Sequence, residues 1–208
     1  IALGKFPSTL IRWQKKHGRH DLPWQQTTDP YRVWLSEIML QQTQVQTVIP
    51  YYARFLEEFP TVAILAAAPL EAVLARWAGL GYYARARNLH ACARVVVAEY
   101  AGQFPADIAT LATLPGIGRS TAAAISVFAF GQRAAILDGN VKRVFCRVFD
   151  VEGVPATSAV DKLLWALAES LLPRQDIGAY TQGLMDLGAT CCTRSKARGD
   201  VCPMASFW

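Results

Sequence analysis

The chain has 208 residues, of which 52% are apolar and only 18% charged, a composition that excludes a disordered polypeptide and suffices for a sizeable core. Its formal charge of +5 suits a polyanionic partner without requiring one. Five cysteines are an odd number for a secreted disulfide framework, no apolar run has the length of a bilayer-crossing helix, and no leader peptide is read; a reducing cytoplasm is the expectation.

Apolar residues recur at helical spacing over 30–43, 46–59, 70–77, 84–100, 119–130, 140–149, 158–172 and 176–189. Breakers separate these stretches: Pro50 near a helix start, Pro69, Gly79 with Gly81, Gly102 with Pro105, Pro115 to Gly118, Gly131, Gly153 with Pro155, and Pro173. No alternating strand series and no fixed-period repeat is present. The predicted fold class is all-α, with about ten helices by this pattern of breakers.

In the first helix-forming stretch, Glu37 lies among Trp34, Leu35, Ile38, Met39 and Leu40. A glutamate usually sits on a solvated face. Apolar neighbours instead predict a carboxyl held neutral near pH 7, which is what a general acid requires. Gln41 and Gln42 end this helix and read most simply as a polar terminus. Further on, Gly79-Leu-Gly-Tyr-Tyr-Ala-Arg joins Tyr82 and Tyr83 to Arg85 after a glycine turn. Aromatics interleaved with cations suit stacked bases and phosphates, although Tyr83 serves equally well as core.

Residues 111–125 read as a short helix, a Pro115-Gly116-Ile117-Gly118 turn, and a second helix starting near Arg119 and Ser120. Two glycines permit a tight turn, and a helix N-terminus behind it makes a phosphate cradle; a plain helix connection needs glycine too. Asp138 stands where the next helix begins, a common capping position. Lys142, one turn on, reads as an ion-pair partner of Asp138 or a phosphate contact. Asn140, Arg143 and Arg147 suit either DNA or a solvated face.

The Leu114-Pro-Gly-Ile-Gly118 pattern between two helices resembles the helix–hairpin–helix motif of DNA repair proteins, and Asp138 lies where that superfamily places its catalytic aspartate. The segments 34–45, 79–90, 114–121, 137–144 and 184–196 resemble MutY-type adenine DNA glycosylases, and the resemblance runs from about Phe6 to Pro203. It implies Glu37 as the general acid and Asp138 as the anion that steadies an oxocarbenium-like sugar. It also implies Gln42 as a wedge into the duplex beside Gln41, Tyr82 as the residue inserted at the lesion, and Gln182 as a contact to adenine. Trp24 matches the family too, but core packing is its simpler role. Lyase relatives such as endonuclease III carry a lysine where Ser120 stands; a hydroxyl forms no imine, so base removal without efficient strand scission is expected.

By the same resemblance, residues 23–132 form a six-helix barrel containing the hairpin. Residues 1–22 and 133–208 form a second lobe. The implied partner is double-stranded DNA with A:8-oxoguanine or A:G mispairs, bound by a monomer in a bacterial nucleoid, away from any membrane. MutY-type proteins continue into a further domain that reads 8-oxoguanine, which these 208 residues do not carry. Weaker discrimination of 8-oxoguanine from guanine is therefore expected of them. Two other readings stand beside this one: another glycosylase of the superfamily, such as a thymine-mismatch enzyme, and a DNA-binding module without catalysis.

The resemblance breaks at the C-terminus. The family holds a [4Fe-4S] cluster with C-x6-C-x2-C-x5-C spacing. Here Cys192 and Cys202 occupy the first and third positions, while Gly199 and Trp208 replace the other two. The expectation is a clusterless variant with no cofactor, in which Phe207 and Trp208 fill the vacated volume. Zinc or a disulfide at Cys192 and Cys202 remains an alternative. The basic run Thr193–Arg198 keeps its capacity to touch DNA.

Overall fold

The computed structural model describes residues 3–207, and among them every regular element is helical. The chain is thus all-α, as its periodicity predicts. It divides into two compact units, Leu22–Phe130, and Ile1–Asp21 together with Gly131–Trp208.

Helix α1 (Phe6–His17) belongs to the second of these units. The first contains α2 (Pro30–Leu40), α3 (Val45–Glu58), α4 (Val62–Ala67), α5 (Leu70–Trp77), α6 (Ala84–Tyr100), α7 (Ile108–Leu111) and α8 (Arg119–Phe130). Its organising element is α2. Asp29 caps it by accepting the Tyr31 N–H at 3.1 Å, and Pro30 pre-sets the first helical φ. Tyr31, Val33, Trp34, Leu35, Ser36, Ile38 and Met39 are all buried, so α2 is enclosed around most of its circumference by α3, α6 and α8. Such a helix has little freedom to shift, and it carries Glu37. Trp24 packs edge-on against Tyr52 at 5.5 Å, in the core as expected.

Some boundaries differ from the periodicity. Pro50 lies inside α3 rather than at its start. Helices α4 and α7 are too short to display a period, and their caps define them instead: Thr61 accepts the Ile64 N–H, and Asp107 accepts the Thr110 N–H at 2.9 Å.

The second unit adds α9 (Gly139–Val148), α10 (Ser158–Ser170) and α11 (Ile177–Asp186), and α11 widens into a π-helical turn over Leu187–Cys191. In α9, Val141, Val144, Phe145 and Val148 form the buried stripe. Phe6 of α1 sits among Phe145, Phe149, Tyr180 and Phe207, with ring centroids 5.1–6.4 Å away. Helix α1 approaches α11 closely at Gly183, where a Cβ would lie 3.0 Å from Leu10 Cγ.

Candidate active site

Glu37 sits half-buried on α2, between the enclosed Ser36 and Ile38. The helix ends at Leu40, earlier than its apolar pattern suggests, because Gln41 leaves the helical region and Gln42 turns left-handed at φ 58°. The Gln41 amide donates to Thr121 Oγ1 on α8 at 3.2 Å, which anchors it, while Gln42 is exposed. A second strained residue follows in the Gly79–Gly81 turn: Tyr82 has φ 49° and is 61% exposed. A non-glycine residue in this region costs about 1–3 kcal/mol and persists only where its surroundings hold it. Tyr83 is exposed rather than core, and its hydroxyl accepts the Gly79 N–H.

Arg85 departs from its expected role. Instead of reaching toward a phosphate it is 9% exposed, with its guanidinium turned inward. Nη1 donates to the carbonyls of Ile38, Met39 and Gln41; Nη2 donates to Thr43 Oγ1 and to the carbonyls of Leu80 and Gly81. Burial lowers its pKa from the usual guanidinium value. The sequence did carry a signal: Arg85, Leu89, Cys92 and Val96 lie on one buried stripe of α6.

In the hairpin, Leu111, Leu114 and Ile117 are buried and fix the turn, and the Ile117 N–H bonds to the Leu114 carbonyl. Gly116 has φ 77°, and a Cβ there would meet Asn88 Cβ at 3.0 Å, so glycine is demanded twice over. Gly118 differs. Its backbone is not left-handed, and a Cβ would meet nothing within 4 Å. Neither conformation nor internal packing requires that glycine. Ser120 lies in the first turn of that helix.

In the second unit, the buried run Ala134–Leu137 delivers Asp138 to the start of α9. Its Oδ1 accepts the Val141 N–H at 2.8 Å, so it is the N-cap, and it is exposed. Lys142 does not pair with Asp138: its Nζ binds Asp161 of α10 at 2.5 Å. Asn140 accepts from Arg143, whose guanidinium also reaches the carbonyls of Gly188 and Cys192 at 2.7 Å. Arg147 donates to the carbonyls of Thr193 and Arg194 and to Cys192 Sγ. These two arginines, one turn apart, therefore clamp the C-terminal loop. The Gln182 amide donates to Asp186, a fully buried carboxylate that also accepts Arg19 Nε at 2.6 Å. Sequence reasoning missed Asp186, because a partner 167 positions away leaves no local trace.

The residues present do not fit a four-iron cluster. Of its four ligand positions, Gly199 has no side chain and Trp208 lies outside the described residues. Cys192 and Cys202 are buried free thiols, and burial pushes the Cys202 thiol up. Among the described residues, no group of three or more His, Cys, Asp or Glu is placed to hold a metal. Met204 and Phe207 occupy the loop's inner face.

Residues 35–170 match the HhH-GPD superfamily of base excision DNA repair proteins. The chain belongs to that superfamily. Its relatives within the superfamily include the adenine DNA glycosylase of Buchnera aphidicola subsp. Baizongia pistaciae, 44% identical over 201 residues, which covers 97% of this chain and 57% of the relative. The adenine DNA glycosylase of Homo sapiens is 44% identical over 211 residues, covering 97% of this chain and 38% of the relative. The chain thus spans little more than half the length of the first and less of the second. Among solved HhH-GPD structures, a thermostable thymine-DNA glycosylase superposes with a TM-score of 0.89 at 31% identity, covering 99% of this chain and 94% of the other. An endonuclease III–DNA complex superposes at 0.82 with 22% identity and the same coverage, which is a likeness of fold alone. No described helix is long and apolar enough to cross a membrane.

Proposed function

We propose that this chain is a monofunctional DNA glycosylase that excises adenine mispaired with 8-oxoguanine or guanine, acting as a monomer on double-stranded DNA of the bacterial nucleoid. The carrying observation is that the two carboxylates named by the resemblance, Glu37 and Asp138, are both present in a chain 44% identical, over 97% of its length, to proteins named adenine DNA glycosylases.

Glu37 donates a proton to a ring nitrogen of the flipped base. The N-glycosidic bond breaks and its electron pair leaves with the adenine. The negative charge of Asp138 steadies the cationic sugar until water adds at C1′ and passes its proton to the Glu37 carboxylate left by the first step. The hairpin from Leu114 to Ser120 takes a backbone phosphate; the open space beside Gly118 supports this, since a phosphate oxygen can approach main-chain N–H groups there. Asn140, Lys142, Arg143 and Gln182 belong to the second unit. All four are engaged within the protein and act by shaping it. Gln42 and Tyr82, both exposed, fill the gap left by the flipped base. Ser120 supplies no amine, so the product is an intact strand with an abasic site. No cofactor takes part.

The test is single-turnover incubation with A:8-oxoguanine and A:G duplexes, with and without alkali, beside Glu37→Gln and Asp138→Asn. Alkali-dependent cleavage by the wild type, lost in both variants, is expected. Absence of any alkali-labile site, or efficient borohydride trapping, overturns the proposal. A thymine-specific enzyme is the second reading, favoured by the structural likeness to a thymine-DNA glycosylase. A T:G duplex in the same assay decides between them.

A further inference from the structure

Of the three non-glycine residues of the first unit with left-handed backbones, Ala101 ends α6, and the other two, Gln42 at φ 58° and Tyr82 at φ 49°, stand at exposed turns beside one buried arginine. Both immediately follow residues whose carbonyls bind one guanidinium. Arg85 Nη1 takes Gln41 O, together with Ile38 O at 3.0 Å and Met39 O at 2.8 Å from the end of α2. Arg85 Nη2 takes Gly81 O at 3.3 Å, Leu80 O at 3.4 Å and Thr43 Oγ1 at 3.0 Å. The two nitrogens thus divide their bonds largely between the α2 terminus and the Gly79–Tyr82 turn. Thr43 ties the two sets together, since its hydroxyl also contacts the Gln41 carbonyl.

We infer that Arg85 is a positioning residue that locks Gln42 and Tyr82 in register with each other, so that both enter the duplex as one rigid wedge. Three of the carbonyls it binds, those of Ile38, Met39 and Gln41, lie at the end of α2, where its positive charge meets the negative end of the helix dipole. Its guanidinium lies 5.2 Å from the Trp77 ring centroid, which fixes it from below, and 5.7 Å from that of Tyr82. Lysine has three donors on a single nitrogen and no planar fork, so it cannot reproduce two fixed nitrogens that share six acceptors between them. The inference rests on the reading that this chain inserts side chains into DNA. It assigns to Arg85 neither a phosphate nor the reacting atoms.

The experiment compares wild type with Arg85→Lys and Thr43→Val on two substrates. In one, adenine is paired with guanine in a duplex and must be displaced. In the other, adenine faces an abasic site and has no pairing partner to leave, so its displacement costs less. Excision is followed by single turnover, and base displacement by the fluorescence of 2-aminopurine beside the target. Arg85→Lys is expected to slow excision roughly 10- to 100-fold on the paired duplex and less than about threefold on the unpaired one, with the fluorescence rise suppressed. Equal slowing on both substrates, or none on either, overturns the inference. Thr43→Val removes one of six acceptors and leaves the helices intact. Should Arg85→Lys fail to melt cooperatively, Thr43→Val carries the test: about threefold slowing confined to the paired duplex supports it, and any other pattern overturns it. A wild type that raises the fluorescence but excises no adenine sinks the functional reading, and loss of that rise in Arg85→Lys would still uphold this one.

Discussion

Asp138 has two roles that one substitution separates. As N-cap of α9 its Oδ1 accepts the Val141 N–H at 2.8 Å. Asparagine caps equally well, so Asp138→Asn should leave the melting temperature nearly unchanged, whereas Asp138→Ala loses about 1 kcal/mol. The negative charge is a different matter. A carboxylate about 4 Å from a developing sugar cation is worth about 1 kcal/mol in bulk water and about 4 kcal/mol at an effective dielectric of 20. Asp138 is exposed in the free chain, so the lower figure describes that state. A bound duplex that excludes water moves the interaction toward the upper one. Both variants should therefore lose roughly 10²- to 10³-fold in single-turnover excision while binding mispaired DNA normally, although only the alanine variant loses stability. The assays are thermal unfolding, DNA binding and excision on the same preparations. Asp138→Asn retaining its rate within about threefold, with Asp138→Ala slow, would assign Asp138 a capping role alone and refute the electrostatic argument.

Other outcomes follow from the same geometry. Gly116→Ala should cost about 1–2 kcal/mol of stability, because φ 77° and Asn88 at 3.0 Å both oppose a Cβ, whereas Gly118→Ala should leave stability alone and weaken DNA binding; denaturant unfolding and binding titrations would reveal the reverse ranking if the hairpin reading is wrong. Burial pushes the Cys92 thiol from 9.0 up to about 12, so the stability from its neutral form is complete below pH 9 and is lost as pH rises toward 12. The stability difference between wild type and Cys92→Ala should accordingly shrink across that window, and a pH-independent difference would show that Cys92 does not titrate as placed.

The helices of eight residues or more, α1 excepted, were legible from their periodic apolar pattern, and α9, with Val141, Val144, Phe145 and Val148, is the clearest case; α1 buries only Phe6, Leu10 and Gln14, too few apolar positions to show a period. What was illegible depended on partners distant in sequence. The end of α2 slipped from residue 43 to Leu40 because its terminal carbonyls bind a guanidinium more than forty positions on. For the same reason Arg85, read as a surface cation, is interior. Lys142 has two carboxylates within reach of its helix, and only folding selects Asp161 over Asp138. The hairpin and the Asp138 cap were readable because turn and cap chemistry is local. Family resemblance named Glu37, Gln42 and Tyr82, but not the strain at the latter two.

The C-terminal loop is tied to the rest of its lobe by the protein's own groups. Glycine at 199 removes one thiolate from the four-cysteine pattern, and the backbone of this segment is held by hydrogen bonds from the protein. Arg143 and Arg147, four apart on α9, take the carbonyls of Gly188, Cys192, Thr193 and Arg194; the Arg198 N–H closes the loop onto Cys191 O at 2.9 Å; and Met204 is fully buried beneath it. Charge-assisted bonds of this kind contribute about 1.5–3 kcal/mol each, so Arg147→Ala should lower stability by several-fold more than a surface substitution would. Protein purified and reconstituted anaerobically with iron and sulfide should stay colourless and fold with the same melting temperature before and after chelation. Stoichiometric iron with the visible absorbance of a cluster, or a melting temperature that falls on chelation, would mean that the arginine clamp supplements a metal rather than replacing one.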